Sequence, residues 1–355
     1  MAIAPERAAV GCLLGTAVGD ALGLACEGLS ARRQRRMFPS LDGYHLLFGK
    51  GLCSDDTEHA CMVAQAIVAS GGDDIAFVRD FAWRLRWWLL GLPAGIGLAT
   101  LRGIVKLWLF VPERFRGVHS AGNAPAMRSA ILGVCCAGDE PRLLRLVRAS
   151  TRLTHTDPKA ECGALAIALA ARCSMQGRPF EAFVADLERL LAEHDAAGRE
   201  LVGLALRVRD SVASGEPTEE FVRRIGGAGG VSGYVYQSVP AVLHAWHSSS
   251  PDFARALKAI IRCGGDTDTT AAMLGGIIGA GTGKAGIPAK WLDDLAEWPR
   301  TVRWMEQLAL RAEQAAGSSA AGGNIGLPLA GLLLRNAGFI VLVLAHGFRR
   351  ALPPY

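Results

Sequence analysis

The 355-residue sequence is short of charge, at 20%, and short of aromatic residues, at 7%. Low charge beside 50% hydrophobic residues and a mean hydropathy of +0.24 excludes a disordered chain, because there is ample apolar surface to bury. Lysine and arginine outnumber the acids by only five, too weak a balance for a specific nucleic-acid partner. None of the nine cysteines forms a C-x-x-C pair, which removes the zinc-ribbon and thioredoxin readings. Scattered through apolar stretches in odd number, they read as reduced, buried thiols. The first ten residues carry Pro5, Glu6 and Arg7, and the apolar stretch behind them contains Asp20 with no cleavage site. That is not a secretory signal, so a cytoplasmic protein is expected. The 43 glycines follow no three-residue period, which excludes collagen. No run of alternating β-branched residues marks a strand.

What the sequence does contain is helical. Apolar residues recur at three and four positions, as in buried helices, and point to an all-α, compact multi-helix domain. The segment 160-AECGALAIALAARC-173 follows Thr156, Asp157 and Pro158, a cap and a first turn. Similar patterns lie near 57–69, 125–136, 181–194, 199–213, 252–262 and 269–281. Two segments carry glycine every fourth residue: Gly11, Gly15, Gly19 and Gly23, then Gly275, Gly279 and Gly283. Such stripes fall on one helix face. Each glycine costs about 0.5–1 kcal/mol against alanine in a helix, and close backbone approach between packed helices is the natural compensation. A transmembrane small-xxx-small pair is the rival, weakened by Asp20, Asp266 and Asp268 beside the stripes.

Length alone allows one large domain or two. Composition divides the chain into a domain at 1–314, a small-residue linker at 315–324 and an apolar tail at 325–355. The tail, 325-IGLPLAGLLLRNAGFIVLVLAHGFRR-350, is interrupted by Arg335 and Asn336 and weakened by Pro328 and Gly338. A central arginine costs a membrane span about 2.5–3.5 kcal/mol. The tail therefore reads as a hairpin or helix pair packed on the domain or a partner. Its rival is membrane contact through 325–350, with Arg349 and Arg350 at the interface.

Two acidic clusters stand out, 54-SDDTEH-59 and 264-GGDTDTT-270, each opening an apolar helix. Helix capping explains one or two such residues. It does not explain Asp55 beside Asp56, or Asp266 two residues before Asp268, each flanked by hydroxyls. Four converging carboxylates repel one another unless a cation neutralises them. Their oxygen-only chemistry suits a hard ion, Mg²⁺, Mn²⁺ or Ca²⁺.

Three further blocks complete a pattern: 15-GTAVGDALGLACEG-28, 120-SAGNAPAMRSAILG-133 and 154-THTDPKAECGA-164. With the two acidic clusters, in this order over roughly residues 10–285, the sequence resembles the ADP-ribosylglycohydrolase family, which includes the dinitrogenase reductase-activating glycohydrolases. The resemblance implies an all-α fold with a site for two Mg²⁺ or Mn²⁺ ions. It assigns Ser54, Asp55, Asp56, Asp266, Asp268 and Thr269 as metal ligands. Glu27, Asp55 and Asp56 become the catalytic candidates, with Glu27 the leading acid–base group. Gly97, Ser120, Gly122, Asn123 and His155 become the substrate-binding candidates. The implied activity is hydrolysis of an ADP-ribosyl glycosidic bond on a protein or small molecule, by a catalytic unit expected to be monomeric. A departure bears on it. Many members carry an aspartate before I-G in the block that here reads 93-PAGIGLAT-100, where this chain has Gly95. That leaves, as alternatives, a member that binds ADP-ribose or a nucleotide with little turnover, or a non-enzymatic protein of the same fold.

Other features have plainer readings. The stretch 83-WRLRWWLLG-91 is an amphipathic helix with arginines lying over tryptophans. Arg32, Arg33, Arg35 and Arg36 form a solvated helix face, and Arg128 anchors its loop. His59 is divided between supporting the acidic turn and plain packing.

Overall fold

Two helices from opposite ends of the domain lie antiparallel at its centre with their backbones in contact. In the computed structural model, which describes residues 3–191, 196–318, 323 and 325–353, they are Pro5–Gly23 and Thr267–Thr282. The two glycine stripes face each other along this seam. A Cβ on Gly11 would lie 2.1 Å from the Gly279 oxygen, one on Gly15 2.1 Å from that of Gly275, and one on Gly19 2.0 Å from that of Ala271. No side chain fits there, so the close approach expected from the spacing is the reason for the glycines. Around the pair pack the helices Asp55–Ser70, Pro158–Met175 and Val302–Ala316, giving the all-α architecture its main core.

Local chemistry sets the ends of these helices. Asp157 caps Pro158–Met175 by accepting from the Lys159 N–H at 2.8 Å, and Pro158 occupies the first turn, where its missing N–H is harmless. The pattern near 125–136 is two short helices, Ala124–Met127 and Ala130–Cys135, where a single one is expected. The break falls where Arg128 turns inward. Its guanidinium is fully buried, bonded to the Ser150 carbonyl at 2.8 Å, the Thr154 hydroxyl at 2.9 Å and His59 Nδ1 at 3.1 Å. Among the described residues the sheet is limited to Leu29–Ser30 paired antiparallel with Gly264–Gly265.

The helix Val302–Ala316 runs into the segment read as a linker, of which residues 319–322 and 324 lie outside the described residues. The tail is a single helix, Leu329–Arg350, where a hairpin or helix pair is expected: Pro328 sits at its N-cap and Gly338 is accommodated within it. Arg335 is not an interruption but an anchor. Its buried guanidinium donates to Glu58 Oε1 at 3.3 Å, Glu297 Oε2 at 2.8 Å and the Cys53 carbonyl at 2.5 Å. Arg300 donates to the same Glu58 oxygen at 2.8 Å, so two buried carboxylates meet two guanidiniums. Asn336 donates to the Gly91 carbonyl, and Phe339 packs with Leu24, Ala25 and Leu46. Leu333, Leu334, Val341, Leu344 and Phe348 face outward. Among the described residues two helices are long and apolar enough to cross a membrane, the buried N-terminal one and this one.

Candidate active site

The first acidic turn is held from beneath by the N-terminal helix. Asp20, fully buried, accepts the Ser54 N–H at 2.9 Å, the Thr57 N–H at 3.1 Å and the Thr57 hydroxyl at 2.5 Å. Ser54 caps the helix by accepting the Asp56 N–H at 3.3 Å, and its hydroxyl donates to Asp56 Oδ2 at 3.0 Å. The Cys53 N–H donates to Glu297 Oε2 at 3.0 Å, so the peptide before the turn is gripped on both sides, by Glu297 and by Arg335.

The second turn depends on glycine backbone. Gly264 and Gly265 have φ of +74° and +80°, a region that disfavours other residues. They let the chain pair with Leu29–Ser30 and with Val231, whose N–H donates to the Gly264 oxygen and whose carbonyl accepts the Asp266 N–H at 2.7 Å. Asn123 Nδ2 donates to Asp266 Oδ2 at 2.7 Å, and the Thr267 hydroxyl donates to the Gly23 carbonyl at 2.8 Å. The Thr269 hydroxyl then reaches across to Asp56 Oδ2 at 3.2 Å.

The charges gathered here are unfavourable to one another. Burial, then the neighbouring carboxylates, push Asp55, Asp56 and Asp268 well above the ordinary carboxylate range. Burial and then Asp266 raise Glu27, with Arg350 opposing. Asp20 is pushed up to about 6, its burial outweighing the hydrogen bonds it accepts. Asp56 Oδ1 and Asp268 Oδ1 are buried without a hydrogen-bond partner. Orphaned carboxylate oxygens of this kind, among hydroxyls and further carboxylates, fit a hard divalent cation. Among the described residues no three histidine, cysteine or acidic side chains close on one point.

A cleft of about 540 Å³ opens over these turns, lined by Glu27, Ser54, Asp55, Gly97, Asn123, Asp266, Asp268 and Thr269 among the expected residues. Asp56 lies behind the wall, bridging the turns. Ser120, Gly122 and His155 are not part of the wall. They cluster together, with His155 Nε2 3.0 Å and Ser120 Oγ 3.5 Å from where a Gly122 Cβ would sit. Burial, with Arg128 nearby, lowers His155 to about 3, so its ring is neutral, and Nδ1 lies 2.9 Å from the Thr154 hydroxyl. Gly95 lines the cleft with φ +84°, and a Cβ there would lie 3.8 Å from Asp55 Oδ1. The position where the family resemblance leads one to expect an aspartate thus faces the first acidic turn.

Two groups of residues at the site carry no signal of their role in the sequence. Asp20 lies in 15-GTAVGDALGLACEG-28, where by sequence it speaks only against a signal peptide and a membrane span. Phe339, Val343, His346, Gly347 and Arg350 of the C-terminal helix also line the cleft, and nothing in their spacing signalled it.

The chain is similar to known proteins over most of its length. A family model described as ADP-ribosylglycohydrolase matches residues 1–321, further toward the C-terminus than the sequence blocks reach. The chain is 28% identical over 295 residues to an ADP-ribosyl-[dinitrogen reductase] glycohydrolase of Rhodospirillum rubrum, covering 81% of this chain and 90% of the relative. It is 27% identical over 317 residues to the ADP-ribosylarginine hydrolase Tri1 of Serratia proteamaculans, covering 86% and 80%. A solved ADP-ribosylglycohydrolase-related protein complex superposes with a TM-score of 0.64 at 27% identity, covering 88% of this chain and 99% of that one.

Proposed function

This chain belongs to the ADP-ribosylglycohydrolase family, and on that premise we propose that it hydrolyses the bond between ADP-ribose and an acceptor, with divalent-metal dependence. The observation that carries the reading is the pair of acidic helix starts facing one cleft with two buried carboxylate oxygens unpartnered. Ser54, Asp55, Asp56, Asp266, Asp268 and Thr269 would hold two Mg²⁺ or Mn²⁺ ions. Bound ions supply a water of lowered pKa and fix the ribose hydroxyls.

The chain's own residues supply the rest. Breaking the bond at the anomeric carbon builds positive charge on the ribose, which carboxylates stabilise. Glu27, whose raised affinity for a proton follows from burial, is placed at the cleft wall to exchange a proton with water or acceptor. Asn123 orients Asp266 through its amide. The Gly97 backbone lets the pyrophosphate approach closely, and the Ser120–Gly122–His155 cluster supports the loop that carries Asn123. Asp20 positions the first turn.

Calorimetric titration of ADP-ribose into the protein, with Mg²⁺ and with EDTA, tests this. Binding that requires metal and vanishes in Asp56→Ala supports it, and release of ADP-ribose from modified peptides completes it. Absence of binding in both conditions would sink it. Gly95 favours one second reading, a member that binds without turnover, for which metal-dependent binding with no release would be the signature.

A further inference from the structure

The C-terminal helix lies beyond the residues matched by the family model, yet it walls one end of the cleft. The cleft has two chemically distinct ends. At one, beside Asp266, Asn123, Ala124, Ser232 and Gly233 offer backbone and amide groups, and the Asn123 N–H donates to the Gly233 carbonyl at 3.0 Å. At the other, Leu24, Glu27, Gly28 and Leu46 meet His346, Gly347 and Arg350 of the helix. Arg350 Nη2 donates to the Ala25 carbonyl at 3.3 Å, while its Nη1 stands 3.8 Å from where a Gly28 Cβ would be. Its Nε is buried without a partner. Glu27 and Asp268 are among the acids its charge acts upon. Among the described residues Arg350 is the one lysine or arginine in the wall. Gly347 also lines this end, and a Cβ on it would meet nothing within 4 Å, so its bareness serves open space rather than packing.

On the proposed function, the ribose sits at the carboxylates and the nucleotide runs toward the glycine-rich end. The acceptor then leaves past Arg350. We propose that the C-terminal helix forms the acceptor subsite and that Arg350 sets its specificity, selecting an oxygen-linked acceptor without positive charge, such as a hydroxyl or an acidic group, over a guanidinium. A second guanidinium at this end would face Arg350 at short range, and like charges in a partly buried site repel. An oxygen leaving group is favoured instead. Water adds to the ribose C1″, the C1″–O bond breaks, and its electron pair stays on the acceptor oxygen. A guanidinium N–H stabilises that oxygen while it takes up the proton released by the water, or while it leaves as an anion. Gly347 leaves room for the acceptor's first atoms.

The test compares free ADP-ribose, a serine-linked ADP-ribosyl peptide and an arginine-linked one in Mg²⁺, with the full chain and with Arg350→Gln and Gly347→Leu. Affinity for free ADP-ribose is read by calorimetry. The peptides are read as kcat/KM, or as Kd where the protein binds without turnover. The unmodified protein should favour the serine-linked peptide by about tenfold or more, and Arg350→Gln should shrink that ratio by a similar factor. Gly347→Leu should weaken both peptides about tenfold and leave free ADP-ribose nearly unchanged, because the added side chain fills the acceptor end alone. Preference of the unmodified protein for the arginine-linked peptide would overturn the inference, as would an equal loss of free ADP-ribose in Gly347→Leu. Failure of the unmodified protein to bind ADP-ribose at all would be a different result, removing the underlying reading as well.

Discussion

The Thr269 hydroxyl donates to Asp56 Oδ2 at 3.2 Å, joining two helix starts that lie 213 residues apart in the chain. The same oxygen accepts from Ser54, so Asp56 is shared by both turns and holds them in register. Its other oxygen is left unpartnered. An ion placed there would tie the two halves of the domain together.

Stability should therefore respond to metal. Adding Mg²⁺ or Mn²⁺ at about 100 times its Kd should stabilise the protein by about 2.7 kcal/mol. The rise in melting temperature should disappear in Asp56→Asn and in Asp268→Asn. No rise in the unmodified protein would count against a metal site.

Asp20 touches no substrate, yet it orients the turn through Ser54 and Thr57. Asp20→Asn keeps the volume but replaces one acceptor oxygen by a donor that faces the same N–H groups. Metal affinity should fall about 10–100-fold, as for other residues that orient ligands. Titration of Mn²⁺ into both proteins measures it.

Arg335→Met leaves Glu58 and Glu297 sharing Arg300 alone in a buried site. Breaking a buried pair from one side costs about 3–5 kcal/mol. Denaturant unfolding should show a loss of this size, and Arg349→Met, at the exposed end of the same helix, should show little.

The glycine seam gives a sharp contrast. Gly19→Ala places a Cβ against the Ala271 oxygen and should cost about 1–3 kcal/mol or more through overpacking. Gly203→Ala, in the helix Ala196–Ala213 with nothing within 4 Å, should gain about 0.5–1 kcal/mol. Thermal melts of the two variants should move in opposite directions.

His244 supplies a pH dependence remote from the cleft. Its ring is buried between the Ser211 and Thr218 hydroxyls and stacks on Phe221, and burial lowers it to about 4. The unfolded chain takes up that proton near 6.5 and the folded chain only near 4. Stability is therefore lost as pH falls from 6.5 toward 4. His244→Gln should flatten this part of a melting-temperature profile.

Much of this was legible in the sequence, for physical reasons that differ between residues. The acidic turns were visible because crowded carboxylates at helix starts are costly without a partner ion, and the glycine stripes because their spacing requires a close neighbour. That the stripes pack against each other was not readable, since any helix could have filled that role. The role of Arg335 is hidden for a similar reason. In one dimension a lone arginine in an apolar run is an interruption, and its carboxylate partners, Glu58 and Glu297, are distant in the chain and show no pairing signal. The cleft-facing stripe Phe339–Val343–His346–Arg350 reads as an ordinary apolar tail until the fold places Glu27 beneath it.

The seam between Pro5–Gly23 and Thr267–Thr282 also sets the order of events during synthesis. The first helix leaves the ribosome early and is largely apolar, while the carbonyls it must pack against have not yet been made. Non-local pairing of this kind is slow and exposes sticky surface in the interval. Until residues near 280 emerge, the glycine face of the N-terminal helix has only Asp55–Ser70 and the helices near 130–175 to pack on, and a chain stopped short of them leaves that face without its main partner.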